Sequence, residues 1–161
     1  MRQFRTNAVI GLLACLSVVV LYAQPAMTGA PNAFQGGTYL LTISDATTGA
    51  FASRGVVALQ RDGTLSAINS EQGGPTFFFT SELGAWEPDH KGGAVGRTLD
   101  FRLPPESPGV ARVDYTFTFS ANNTEVTGTI TLTRFPLQGD PLGAGGTVFG
   151  ELTFTGTLVE P

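Results

Sequence analysis

The chain has 161 residues, the length of one domain plus a targeting segment. Only 14% of residues are charged and the net charge is −4. The basic residues after Arg5 (Arg54, Arg61, Lys91, Arg97, Arg102, Arg112 and Arg134) stand singly, without the basic stripe that nucleic acid requires or the basic cluster that an anionic membrane surface attracts.

From the N-terminus, Met1 to Asn7 carries Arg2 and Arg5 and no acid, and Ala8 to Leu21 is an apolar run broken only by Ser17. Small and helix-breaking residues follow at Tyr22-Ala23-Gln24-Pro25-Ala26. This is the order of a secretory signal peptide, assigned to 1–26, and the run is shorter than the roughly 20 residues a membrane span needs. The expected location is therefore secreted or periplasmic, with no stable membrane insertion once the signal is cleaved. Leu12-Leu13-Ala14-Cys15 resembles a lipid-attachment box, but the apolar run continues past Cys15 and argues against a lipoprotein. Cys15 is the sole cysteine, so the mature protein is expected to lack disulfides and thiol nucleophiles. Residues 27–37, rich in Gly, Pro and Ala, read as a flexible lead-in to a domain at 38–161.

Beyond Gly37 the chain alternates apolar and polar residues and is broken at short intervals by Gly, Pro, Asn and Asp. That pattern predicts an all-β fold of eight strands, near 38–44, 53–60, 64–69, 76–87, 93–103, 110–120, 124–134 and 147–159. Asp62-Gly63 signals a tight hairpin, and Asn122-Asn123 can adopt the positive φ that a similar turn requires. Centring the second hairpin on Asn122-Asn123 sets Phe119, Phe117, Tyr115 and Val113 opposite Val126, Gly128, Ile130 and Leu132, all on one apolar face. A slip of one residue would set them against threonines. The last strand alternates as well, with Leu152, Phe154, Gly156 and Leu158 on one face, and its length suits a strand that closes the sheet into an antiparallel up-and-down barrel.

A third hairpin, centred on His90-Lys91, would pair Trp86 with Val95, Gly84 with Arg97 and Glu82 with Leu99. Arg97 then shares the inward parity with Val95, Leu99, Phe101 and Leu103. A buried guanidinium is costly without a partner, so Arg97 is expected to stack on Trp86, pair with Glu82 or meet a ligand. Gly84-Ala85-Trp86 with this arginine resembles the barrel-closing signature of lipocalins and related calycins, although lipocalins carry the triplet on the first strand and the arginine near the last. The wider pattern includes Asp62-Gly63-Thr64, a long Phe/Thr strand, Val126-Thr127-Gly128 and a Gly/Thr-rich final strand. It is similar to that of small secreted bacterial lipocalin-like or allene-oxide-cyclase-like barrels, a likeness of fold that names no ligand.

His90, the one histidine, falls in a turn, so metal-ligand sets and a Ser-His-Asp triad lack their parts, and no phosphate loop or dinucleotide fingerprint occurs. No metal, cofactor or catalytic residue is assigned. Asp100, Asp114, Glu125 and Glu151 fall on polar parities, and the threonine rows of the last two strands read as ordinary solvent-facing composition. The leading expectation is an exported barrel that binds a small, largely apolar molecule through Trp86, Arg97, Phe101, Tyr115, Phe117, Phe119 and Phe154. The alternatives are an allene-oxide-cyclase-like isomerase or cyclase acting by shape, with Tyr115, Glu82 and Arg97 as polar groups, and a structural or surface-interaction protein with a filled barrel.

Overall fold

The computed structural model describes residues 36–74, 77–104 and 107–161. The expected signal segment and all but the end of the lead-in lie outside these. Eight strands follow in chain order: β1 (Gly37–Asp45), β2 (Phe51–Leu59), β3 (Thr64–Asn69), β4 (Glu82–Pro88), β5 (Gly93–Arg102), β6 (Gly109–Phe119), β7 (Glu125–Pro136) and β8 (Thr147–Leu158). Each pairs antiparallel with the next, and β8 returns to β1 from Tyr39↔Leu158 to Asp45↔Leu152. The sheet is thus a closed up-and-down barrel with no free edge.

Closure follows from period-two patterning. Inward parity carries Tyr39, Leu41 and Ile43 on β1, Val57 and Leu59 on β2, Leu65 and Ala67 on β3, Val113, Tyr115 and Phe117 on β6, and Val126 and Ile130 on β7, all buried. The β6–β7 register is the expected one, with Phe119↔Val126, Phe117↔Gly128, Tyr115↔Ile130 and Val113↔Leu132. Asn123 takes a φ of 58° in the connecting turn, as expected. The Phe154 ring, from the β8 partner of Gly128, lies over the bare backbone of that glycine.

Three expectations are corrected. The Asp62-Gly63 turn has three residues rather than two, because Gln60 pairs with Thr64; Gly63 takes a φ of 86° and the Asp62 carboxylate accepts from the Thr64 N–H. The fourth strand starts at Glu82 rather than near 76; before it, Phe79 makes an isolated bridge to Arg102. The third correction matters most. The β4–β5 register is Leu83↔Leu99, Gly84↔Thr98, Ala85↔Arg97 and Trp86↔Gly96, one residue away from the expected pairing. Asp89 pairs with Gly93 around a loop in which His90 and Gly92 have φ of 61° and 91°, and Asp89 Oδ1 accepts from the N–H groups of Lys91 and Gly93. The extra loop residue reverses the faces of β5: Ala94, Gly96, Thr98, Asp100 and Arg102 turn inward, while Val95, Arg97, Leu99 and Phe101 turn outward.

The two barrel ends differ. At the end carrying the turns 60–63, 89–92 and 120–124 the interior is packed. Tyr115, Phe117 and Phe119 stack along β6 with ring centroids 5.4 and 6.2 Å apart, and Phe154 crosses Phe117 at 60°. Two aromatic residues tie this end to the turns: Tyr39 Oη donates to Asn123 O at 2.8 Å and Trp86 Nε1 to Gln60 O at 2.8 Å. Outside the barrel, the 137–146 connection folds back over β6 and β7. Arg112 lies over the Phe135 ring and donates from Nη1 to the carbonyls of Pro141 and Gly143, burying Thr133 and Phe135 beneath the loop.

Candidate functional site: a half-hollow barrel

The opposite end, where β1, β3, β5 and β7 finish, opens into a cavity of about 480 Å³. Ligand pockets generally occupy about 300–1,000 Å³. Its walls are aliphatic: Leu41 and Ile43 from β1, Val113 from β6, Ile130 and Leu132 from β7, and Leu152 from β8. Phe77, Phe79 and Phe149 stand at the mouth. The interior is hollow here because β2, β3, β6 and β8 place Gly55, Ala67, Ala111 and Gly150 where the closed half has rings and branched side chains.

Polar groups run along one wall of the cavity, from Glu82, Thr98 and Tyr115 beside the filled half, through Asp100, to Arg102 at the mouth. Glu82, at the start of β4, accepts on Oε2 from Tyr115 Oη at 2.6 Å and from Thr98 Oγ1 at 2.7 Å. Thr98 is fully buried, and Glu82, Asp100 and Arg102 are each only 6% exposed. Burial raises the Glu82 carboxyl above its ordinary range, against the two hydroxyl donors that favour its charge. Asp100 is raised to about 7, first by burial and then by neighbouring Glu82, with Arg102 opposing. The Tyr115 phenol is driven well above 10 by burial and by the negative charge of Glu82. Arg102 is lowered by burial and by Arg134; both guanidiniums lie about 5 Å from the Phe149 ring centre. Among the described residues, Asp100 Oδ1 is buried with no hydrogen-bond partner.

This arrangement provides an apolar vessel with proton-holding groups at its base. Buried titratable groups displaced toward neutral pH inside a cleft are typical of sites that bind or transform a ligand.

Of the seven side chains expected in the interior, Tyr115 alone lines the cavity. Phe117 and Phe154 are buried beneath it as packed core, and Trp86 and Phe119 pack against that core near the closed end. Arg97 and Phe101 are not interior, because the β4–β5 register turns them outward. Arg97 Nε donates to Asp114 Oδ1 at 2.6 Å on the barrel surface, and Phe101 is 54% exposed. Asp100, expected on a polar face, is instead interior. Sequence reasoning therefore missed Thr98, Asp100 and Arg102 as inward residues, while Glu82 was weighed as a partner for Arg97 and as a polar group of the isomerase or cyclase alternative. The available signal was size: Gly96 and Ala94 lie directly opposite Tyr115 and Phe117, so small residues on one strand make room for large rings on its neighbour.

Comparison with protein-family models, curated proteins and solved structures finds no match to this chain.

Proposed function

We propose that this is an exported binding barrel that holds a small, largely apolar molecule in its open half. The observation carrying the reading is the division of one barrel interior into a packed aromatic half and an aliphatic cavity of about 480 Å³. Eight-stranded barrels stand at the boundary between a filled interior and room for one ligand, and here the boundary falls inside the molecule. The closed antiparallel topology supports the likeness to lipocalin-like barrels. The outer face, with exposed Thr116, Thr118, Thr127, Thr129, Thr153 and Thr155, supports an aqueous setting rather than a lipid-facing one.

A saturable fluorescence titration with N-phenyl-1-naphthylamine tests the reading. One site per chain is expected, lost in Ala111→Phe, which fills the cavity from the β6 wall. Unsaturable binding, or binding unchanged in a folded Ala111→Phe protein, would reject it. The Glu82–Tyr115–Asp100 group favours a second reading, an isomerase or cyclase that confines an apolar substrate and moves a proton at the cavity base. Turnover of a bound substrate that survives both Glu82→Gln and Asp100→Asn would exclude these residues as the proton carriers.

A further inference from the structure

The charges around the cavity are unequal. Asp45, Glu71, Glu82, Asp100 and Glu151 are among the residues along it, against Arg102, and of these acids Glu82 and Asp100 are buried in the interior, whereas the Asp45 carboxylate is held in the exposed 45–48 turn and Glu151 lies on the outward face of β8. Arg134 adds a second cation near the mouth, where it lies over Phe149 rather than in the lining. The interior thus holds two neighbouring carboxyl groups, and low-dielectric walls focus their field on whatever enters.

At the base, the two deepest carboxyl groups differ in their partners. Glu82 Oε2 holds two donors, from Tyr115 and Thr98. Asp100 Oδ1 holds none among the described residues, although Asp100 is 94% buried and lines the cavity wall. A buried acceptor without a donor costs about 1–3 kcal/mol, more if charged. Among the described residues, no group of three or more His, Cys, Asp or Glu side chains gathers as a metal cradle. The complement to this base is therefore an organic donor, and the acid surplus asks for a positive one.

We infer that the cavity takes an amphiphilic amine, with its apolar body along Leu41, Ile43, Ile130, Leu132 and Leu152 and its ammonium group held at Asp100 beside Glu82. The inference rests on the proposed binding function and names its ligand class. The ammonium N–H groups supply the donor that Asp100 lacks and bring the positive charge that makes ionisation of that carboxyl favourable. A fatty acid would present its carboxylate to a lining richer in acids than in bases, with Arg102 alone to receive it. A neutral alcohol would donate one hydrogen bond and leave the charge imbalance unchanged.

The groups that set the pH dependence are those around Asp100. Glu82 from β4 opposes its ionisation, Arg102 on β5 favours it, Tyr115 from β6 donates to Glu82, and Arg134 from β7 acts on Arg102. Asp100 is raised to about 7, so it is largely protonated at pH 6 and largely ionised at pH 8, whereas an alkylamine remains charged across this range. Amine affinity should therefore rise by up to about tenfold from pH 6 to pH 8.

The test is isothermal titration of the purified protein with octylamine, 1-octanol and octanoate, at pH 6 and pH 8. At pH 8 octylamine is expected to bind at least about tenfold more tightly than 1-octanol, the scale of one charge-assisted hydrogen bond. Asp100→Asn should reduce octylamine to the level of 1-octanol. The wild-type comparison across pH tests the same point without a variant. Equal binding of octylamine and 1-octanol would overturn the amine inference and leave the binding function standing. Tighter binding of octanoate would overturn it in favour of recognition by Arg102. Binding of none of the three would overturn the amine inference and the cavity reading together.

Discussion

Asp100→Asn should make the protein more stable, and by an amount that depends on pH. The Asp100 carboxyl moves from 3.8 to about 7 on folding, mainly through burial. An acid with a raised folded-state pKa contributes its stability fully below the unfolded value, when it is protonated in both states. That contribution is lost as pH rises from about 4 through 7, because the unfolded chain ionises first. A shift of roughly three units corresponds to about 4 kcal/mol as an upper figure, at 1.36 kcal/mol per unit. Asparagine keeps the shape and cannot ionise. Urea unfolding of wild type and variant at pH 4, 6 and 8 should give a difference under about 1 kcal/mol at pH 4 and a variant more stable by up to about 4 kcal/mol at pH 8. A difference curve that stays flat from pH 4 to pH 8, or a wild type more stable than the variant at pH 8, would refute the placement of Asp100 as a buried, poorly compensated acid. A protein that keeps such an acid at the base of a cavity gives up stability, as binding and catalytic sites commonly do.

Other outcomes follow from the same geometry. Phe117→Ala, which removes the ring at the centre of the packed half, should cost about 3–5 kcal/mol in urea unfolding; a cost under 1 kcal/mol would mean that half is not close-packed. Gly128→Ala places a Cβ against the Thr116 carbonyl and the Phe154 ring, and a loss of about 1–3 kcal/mol is expected from overpacking. Arg97→Ala removes an exposed ion pair with Asp114 and should change stability by less than about 1 kcal/mol, whereas an interior arginine would register far more. Arg112→Ala frees the carbonyls of Pro141 and Gly143, so limited proteolysis should cut the 137–146 connection faster while the barrel strands keep their hydrogen-exchange protection.

The barrel was legible because its elements constrain one another. On β6 and β7 the Asn122-Asn123 turn and two apolar faces agree on a single register, and the structure has that register. The terminal β8 could be read as the closing strand because its apolar face and length both suit a return to β1. On β5 the local signals conflicted. Val95, Leu99, Phe101 and Leu103 form the more apolar row, yet they face outward, and the polar row of Thr98, Asp100 and Arg102 faces inward. Hydrophobic alternation fails on this strand because the open half of the barrel has a polar base. One loop residue between Asp89 and Gly93 decides the face, and period-two patterning carries no information about loop length. The inward aromatic row of β6 was legible but was assigned to the ligand space, and which rings would border empty space depends on small residues from four strands. No single strand's pattern displays that sum.

Native mass spectrometry of the protein purified from its own host tests the binding function most directly. The account predicts one small molecule per chain that is retained in gentle conditions and lost on denaturation. A bare polypeptide mass that persists after incubation with N-phenyl-1-naphthylamine would contradict it, and would leave a barrel whose open half holds only water.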